Sequence, residues 1–519
     1  MDPIVITFVI LGLAVVVFVW NRIPVSVVAV GVALSLYATG VLTADQALAG
    51  FGDPVIVLIA ALFVVSEGLD ATGVTTWAGQ QLVQRAGTKP SRIVFLVMLL
   101  VAVLSALISV NGAVAALLPM VVVLAVRIHQ PPSRLLMPLA FGAHAGSLLV
   151  LTGSPVSVLI VEYLVGAGEE QVGFFEFGLV GIPLLVGTLL ITVLFGRWLL
   201  PSRVPEYATR DLSSHAQTLA RQYELADGAK PTLTSEKGLA EVVIPPRSAL
   251  IGEVAFPGMV TESGELVVVA IQRGGEELAR TTLQVGDVLL LQGTWGALDA
   301  NTADPNVLVV DAPSTIRRQA APLGRNAKVA IVILAGMVVM LGTGIVPPAI
   351  AALIAATAMV LFRVITPYQA QRSISLTTLI LVGGMIPLST AIQVSGAADL
   401  IAAGIVSVLG GASPLLLVLG VSLVTVVLGQ LISNTATALI LAPIALAIAA
   451  ETGISPVPLL MAVAVSAAAA FLTPVATPAN TMIYGPGGYR FGDYWKLGLP
   501  LVLLFVAVAT FLVPVIWPF

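Results

Sequence analysis

Long apolar stretches recur along the chain, separated by short polar breaks. They lie near 4–20, 24–42, 54–71, 91–108, 112–127, 135–165 and 177–200, and again near 327–343, 347–364, 374–392, 414–432, 436–450, 457–484 and 497–517. About 17 to 25 apolar residues cross a hydrocarbon core of about 30 Å, so the pattern predicts an α-helical polytopic membrane protein. Not every stretch is a simple crossing. The pair 91–108 and 112–127 meets at Ser109-Val110-Asn111-Gly112, and the pair 414–432 and 436–450 meets at Ser433-Asn434-Thr435. A polar tip with no charge and no room for a solvated loop predicts a re-entrant hairpin, allowed where irregular backbone is buried in protein. The stretch 135–165 is interrupted by Thr152-Gly153-Ser154-Pro155, and 457–484 by Thr473-Pro474-Val475-Ala476-Thr477-Pro478. Both read as broken helices.

Charge divides the chain into three. Residues 203–325 hold 26 of its 50 charged residues, 11 basic and 15 acidic. The expected organisation is a membrane half over 1–202, a soluble insert over 203–325 and a second membrane half over 326–519. Each half then has five spans plus one hairpin, and both termini lie on the face opposite the insert. On that scheme all 23 Lys and Arg residues fall on the insert's face. The opposite loops carry Asp45, Asp53, Glu162, Glu169, Glu170, Glu176, Asp399 and Glu451 but no base. The positive-inside rule therefore places the insert in the cytoplasm and the termini outside, in a plasma or inner membrane. The opening Met1-Asp2-Pro3 has no basic n-region, so segment 4–20 is expected to stay as the first helix. Zero cysteines exclude thiol catalysis, disulfides and thiolate metal sites, and no basic run points to nucleic acid.

The two halves also match one another. Pro24 with Pro347, Thr43, Gln46 and Ala47 with Thr366, Gln369 and Ala370, Gly73 with Gly396, and Pro155 with Pro478 are all separated by 323 residues. Ser109 with Ser433 and Pro119 with Pro443 are separated by 324, and Gly181 and Pro183 match Gly498 and Pro500 at 317. Five crossings is odd, so the copies insert with opposite orientation. Inverted repeats with paired interrupted helices are the architecture of secondary transporters, whose site lies at the repeat interface.

At each tip and break one half-helix ends in free carbonyls and the next begins with free N–H groups, ends able to bind a cation and an anion respectively. Ser433, Asn434 and Thr435 offer hydroxyl and amide groups there, as do Ser105, Ser109, Asn111, Thr152, Gly153 and Ser154 in the first half and Thr477 and Asn480 in the second. Helix capping alone would also explain them. No Lys or Arg occurs in this core, so an anion would be held by neutral donors. Carboxylates are equally absent from the breaks, which speaks against a proton relay; Glu67 and Asp70 read as an interfacial pair. His144 is either a neutral packing residue or a pH-sensitive group lining the site. No cluster of catalytic or metal-binding residues gathers at one depth, so an enzyme is not expected.

These residues resemble the divalent anion/sodium symporter family of the ion transporter superfamily. Ser433-Asn434-Thr435-Ala436-Thr437 is similar to that family's Ser-Asn-Thr tip. Ala476-Thr477-Pro478-Ala479-Asn480 is similar to its helix break, and Gly485-Pro486-Gly487-Gly488-Tyr489-Arg490-Phe491 to the segment on the C-terminal side of that break. The resemblance implies a homodimeric elevator-type transporter of a small anion, sulfate or a C4-dicarboxylate, coupled to Na⁺. It implies one Na⁺ site at Ser433, Asn434 and Ala476, and a second at Ser105, Ser109 and Gly153. Substrate contacts would come from Asn111, Ser154, Asn434, Thr435, Thr477, Pro478 and Asn480. The first tip departs from the pattern, because Val110 stands where asparagine is expected and has no oxygen for an ion.

In the insert, 203–234 reads as a linker with a short helix, with strands Leu239–Ile244, Leu266–Ile271 and Val288–Gln292 between turns beyond it. The stretches Glu241-Val242-Val243-Ile244-Pro245-Pro246 and Leu283-Gln284-Val285-Gly286-Asp287-Val288-Leu289-Leu290 resemble the TrkA-C lobe of potassium-conductance regulators, over about 235–311. That resemblance implies a dimerising module or a sensor for a small-molecule effector. Two other functions stay open: an antiporter of the same superfamily for protons or oxyanions such as arsenite, and a regulated ion channel or uptake subunit.

Overall fold

The computed structural model describes all residues except 1, 21, 86–88, 204–236, 262, 303, 311–325, 398–399, 401–402 and 405–412. The expected linker helix within 203–234 lies outside the described residues.

The first half contains α1 (Pro3–Trp20), α2 (Val25–Ala38), α3 (Ala44–Ala49), α4 (Pro54–Ala71), α5 (Val74–Arg85), α6 (Pro90–Leu107), α7 (Val110–Arg127), α8 (Ser133–Gly146), α9 (Pro155–Gly166) and α10 (Gly178–Leu199). After the insert with its short helix α11 (Trp295–Asn301) come α12 (Ala327–Thr343), α13 (Pro348–Leu361), α14 (Pro367–Ser373), α15 (Leu376–Val394), α16 (Pro414–Gly429), α17 (Asn434–Thr452), α18 (Pro456–Ala467), α19 (Pro478–Tyr484), α20 (Tyr494–Ala507) and α21 (Val513–Ile516). Among the described residues six helices are long and apolar enough to cross a membrane, and eight shorter apolar ones accompany them.

Two broken helices form the centre. Every residue of α8 is buried, apart from Arg134, as is α18 from Pro458 onward, whereas α1 and α10 present Val5, Val9, Leu13, Val16, Leu179, Ile182, Val186, Leu190 and Leu194 outward. Such an apolar exterior around a sealed interior is what hydrocarbon, rather than water, surrounds. Close helix approach depends on small residues. A Cβ on Gly146 of α8 would run into the backbone of Ala102 on α6, and one on Gly142 would touch Met98 and Val101. Ser105 Oγ then reaches across this contact and donates to Ala143 O at 2.8 Å.

Residues matched along the sequence adopt matching local structures. Thr43 with Gln46 and Thr366 with Gln369 both form capping boxes, which satisfy free N–H groups at the starts of α3 and α14. Gly73 and Gly396 both take left-handed backbone, at φ 77° and 79°. A Cβ on Gly181 would collide with Leu148 O and one on Gly498 with Phe471 O, the same contact 323 residues apart at the carbonyl.

The insert is a five-stranded antiparallel sheet of β1 (Lys237–Val243), β3 (Leu266–Arg273), β4 (Glu276–Glu277), β6 (Val288–Thr294) and β7 (Leu308–Val309), in the order β4-β3-β6-β1-β7. Strands β2 (Val254–Ala255) and β5 (Thr281–Thr282) pair separately. The sheet and α11 close over Val242, Ile244, Leu266, Ile271, Leu291 and Trp295. The buried Asp287 comes directly after Gly286, whose φ of 86° suits a residue without Cβ. Its carboxylate takes two bonds from Arg273, at 2.6 and 2.7 Å, and one from Gln284 N–H at 2.8 Å. Hydrogen bonding from Arg273 leads, and the Asp287 carboxyl is held below its usual range despite the opposing effect of burial.

Candidate substrate and ion site

Four half-helices begin at one cavity. At the first tip Ser109 Oγ accepts from Gly112 N–H (3.2 Å), capping α7. At the first break Ser154 Oγ accepts from Val156 N–H (3.2 Å), capping α9. At the second tip Ser433 Oγ accepts from Ala436 N–H (3.3 Å), and at the second break Thr477 Oγ1 accepts from Asn480 N–H (3.3 Å). Pro155 and Pro478 fit the first helical position, where no N–H is needed. The capping reading of these hydroxyls is therefore met, and the same four residues line the cavity.

That cavity is about 740 Å³. Its wall joins Ser109, Val110 and Asn111 from the first tip, Thr152 to Val156 from the first break, Ser433 to Thr435 from the second tip and Val475 to Pro478 from the second break. The far wall is apolar with two hydroxyls, Phe18, Val25, Ile59, Leu62, Phe63 and Leu381 beside Thr377 and Thr378. Among the described residues no Lys, Arg, Asp or Glu lines it. An N-terminus carries roughly half an elementary charge. The three full-length half-helices α7, α9 and α17 thus offer roughly 1.5 charges without a base, and the low-dielectric surroundings strengthen them.

Of the expected site residues, Asn111, Ser154, Asn434, Thr435, Thr477, Pro478, Ser109, Gly153, Ser433 and Ala476 are brought together here. Ser105 and Asn480 are not in the wall. The helical phase of α6 turns Ser105 to the α8 backbone, where its hydroxyl is spent on Ala143 O. Asn480 is buried in the fold behind the break, with Nδ2 donating to Ala470 O (2.8 Å) and Thr473 O (3.0 Å) while Tyr494 Oη donates to its backbone carbonyl. It holds the unwound strand in place.

Eight buried side-chain oxygens, Asn480 Oδ1 among them, have no hydrogen-bond partner among the described residues, and of these Asn434 Oδ1 belongs to a residue of the cavity wall. The Asn434 oxygen is sealed from water at the start of a helix. Leaving such an acceptor unsatisfied costs about 1–3 kcal/mol, which a bound cation or donor would recover. Val110, its counterpart, has nothing to offer. His144, from α8, also lines the cavity and joins the two halves, with Nε2 at 3.2 Å from Thr477 Oγ1. Sequence alone noticed His144 but not its partner, 333 residues away. The hydroxyls of Thr377 and Thr378 carried no signal, being part of an ordinary apolar helix.

A multi-pass membrane protein whose interrupted helices surround a cavity with no Lys, Arg, Asp or Glu among its described lining residues has the build of a transporter. The citrate transporter family model (CitMHS) matches residues 15–413 and 346–519, and the chain belongs to this family. It is 32% identical to the uncharacterized transporter YfbS of Escherichia coli over 98% of both chains. It is 25% identical to the sodium/sulfate cotransporter 1 of Chlamydomonas reinhardtii, over 54% of this chain and 33% of that one. The crystal structure of the Alcanivorax borkumensis YdaH transporter shares the fold, with a TM-score of 0.50 and 15% identity across 97% of this chain and 98% of the other.

Proposed function

We propose that the protein carries a small multivalent anion, a di- or tricarboxylate or sulfate, together with Na⁺. The observation that carries this reading is the convergence of capped helix N-termini on one cavity with no Lys or Arg among its described lining residues. Helix ends supply partial positive charge, too little alone to neutralise a dianion. A co-bound cation completes the balance. The orphaned Asn434 Oδ1, the Ser433 backbone and the unwound strand at Ala476 are the oxygen ligands for it. Sodium accepts such neutral oxygens, and the likeness to a sodium/sulfate cotransporter favours it over a proton.

In this reading the two halves are inverted repeats, the tips and breaks move as one body against the outer helices, and the protein works as a homodimer. The insert lies in the cytoplasm and regulates, as its likeness to a TrkA-C lobe implies. Reconstituted protein should take up labelled sulfate, succinate or citrate, with uptake stimulated by an inward Na⁺ gradient. Uptake of none of the three, or uptake indifferent to Na⁺, would refute the reading.

A further inference from the structure

Gln430 is the last residue but two before the second tip, Ser433, and its side chain is almost wholly buried. Both heavy polar atoms of its amide are used. Nε2 donates to Val426 O (3.1 Å) in its own helix and to Ala469 O (3.0 Å) in the unwound strand of the second break. Oε1 accepts from Leu472 N–H (2.8 Å) in the same strand, and Thr473 Oγ1 donates to the Gln430 carbonyl (3.1 Å). One side chain thus does for residues 469–472 what a neighbouring β-strand would do, pairing a carbonyl and an N–H. It does so at the end of α16, where the chain turns into the tip.

The first repeat has no such clamp. Ala106 and Leu107 occupy the matching positions. The first hairpin is attached by Ser105 to Ala143 O instead, within the helical part of α8. The unwound strand turns away, with Leu151 N–H donating to Phe174 O at 3.0 Å. The asymmetry falls on the same side as the orphaned Asn434 oxygen.

We propose that Gln430 is a positioning residue that holds the second tip and the second break in register, so that Asn434 and Ala476 meet one cation without prior rearrangement. This rests on the reading of the site given above. A site assembled only part of the time binds with an apparent constant weakened by that fraction. If the clamp keeps the register, its loss lowers the assembled fraction. Cation affinity then falls, while anion affinity at saturating cation is little changed because the cation itself restores the geometry.

The test uses full-length protein in proteoliposomes, with Gln430→Leu, which keeps the bulk and removes the bonds, and Gln430→Glu, which keeps the acceptor for Leu472 and removes the amide donor. The Na⁺ concentration for half-maximal uptake, the KM for the anion at saturating Na⁺ and the melting midpoint in Na⁺-free detergent are measured for each. The expected result for Gln430→Leu is a rise of about tenfold or more in the Na⁺ requirement, with the anion KM within about threefold of the unmodified value. A purely structural glutamine would lower the midpoint and leave the Na⁺ requirement in place. A Na⁺ requirement within about twofold of the unmodified protein in folded Gln430→Leu overturns the proposal. Should that variant not fold, Gln430→Glu decides by the same criterion. Na⁺-independent uptake by the unmodified protein would instead sink the functional reading, and this proposal with it.

Discussion

Replacing Asn434 with alanine should move two measurements in opposite directions. Asn434 Oδ1 is a buried acceptor with no partner among the described residues, which costs about 1–3 kcal/mol wherever no ligand fills it. Alanine removes that cost along with a few contacts of a side chain only partly enclosed, so the ion-free protein should melt no lower than the unmodified one. Ligand binding loses what the oxygen supplies when occupied, about 1.5–3 kcal/mol for a bond to a charged group, or roughly ten- to 150-fold in affinity. The assay is thermal unfolding in detergent across a Na⁺ series with and without sulfate, citrate or succinate. The rise in midpoint with Na⁺, which scales as RT ln(1 + [L]/Kd), should be displaced to higher concentration by about the same factor. Val110→Ala, at the matching tip, should leave the series unchanged. If Asn434→Ala melts several degrees lower without ions yet keeps its full Na⁺-induced rise, the orphaned oxygen is a packing feature and the assignment of the ion site is wrong.

Gly181→Ala and Gly498→Ala each push a methyl into a backbone carbonyl that has no rotamer to yield; overpacking of this kind costs about 1–3 kcal/mol or more, and both variants should lower the melting midpoint, whereas Gly336→Ala, with open space around it, should not. The depressed Asp287 carboxyl contributes stability that is present above the ordinary carboxylate range and is lost as pH falls through its own lower value; protease sensitivity of the insert should therefore rise in acid, and Asp287→Asn should be sensitive already at neutral pH. The chain has no cysteine, so single cysteines report sidedness cleanly: Glu170→Cys should react with an impermeant maleimide added to intact cells and Ser263→Cys should not, and the reverse pattern would invert the proposed orientation.

Much of this fold is legible in sequence because hydrocarbon enforces simple rules. Apolar stretches separated by charge-free breaks locate the helix ends to within a few residues, since helices start where Ser or Thr caps them, as Ser109, Ser154, Ser433 and Thr477 do. The short helices α3 and α14 are legible only as a repeat match of Thr and Gln, whose role as capping boxes the structure supplies. The direction in which a side chain turns within a helix is not legible in this way. Ser105 is separated from the tip residue Ser109 by one helical turn, yet α6 packs so tightly on α8 through Gly142 and Gly146 that its hydroxyl faces a backbone carbonyl rather than the cavity.

Asn480 and Gln430 make the same point from the other side. An asparagine two residues after a Thr-Pro break reads as a ligand for substrate, but the unwound strand 468–477 leaves carbonyls and N–H groups that have no helical partner and, at membrane depth, no water. Those groups must be answered by whatever amides are within reach. Asn480 takes Ala470 O and Thr473 O, and Gln430 takes Ala469 O and Leu472 N–H. Asn434, on the cavity wall, is left with its oxygen unspent, as is the Oδ1 of Asn480 behind it. Gln430 and Asn480 thereby spend their amide donors on the break, whereas of these three amides only Asn434 stands on the cavity wall. The first repeat has Ala106, Val110 and Ser157 at the matching positions and cannot make that division. On the proposed reading, that difference would leave a single strong cation site in the second repeat, with the first repeat contributing Asn111 and the α7 and α9 N-termini to the anion.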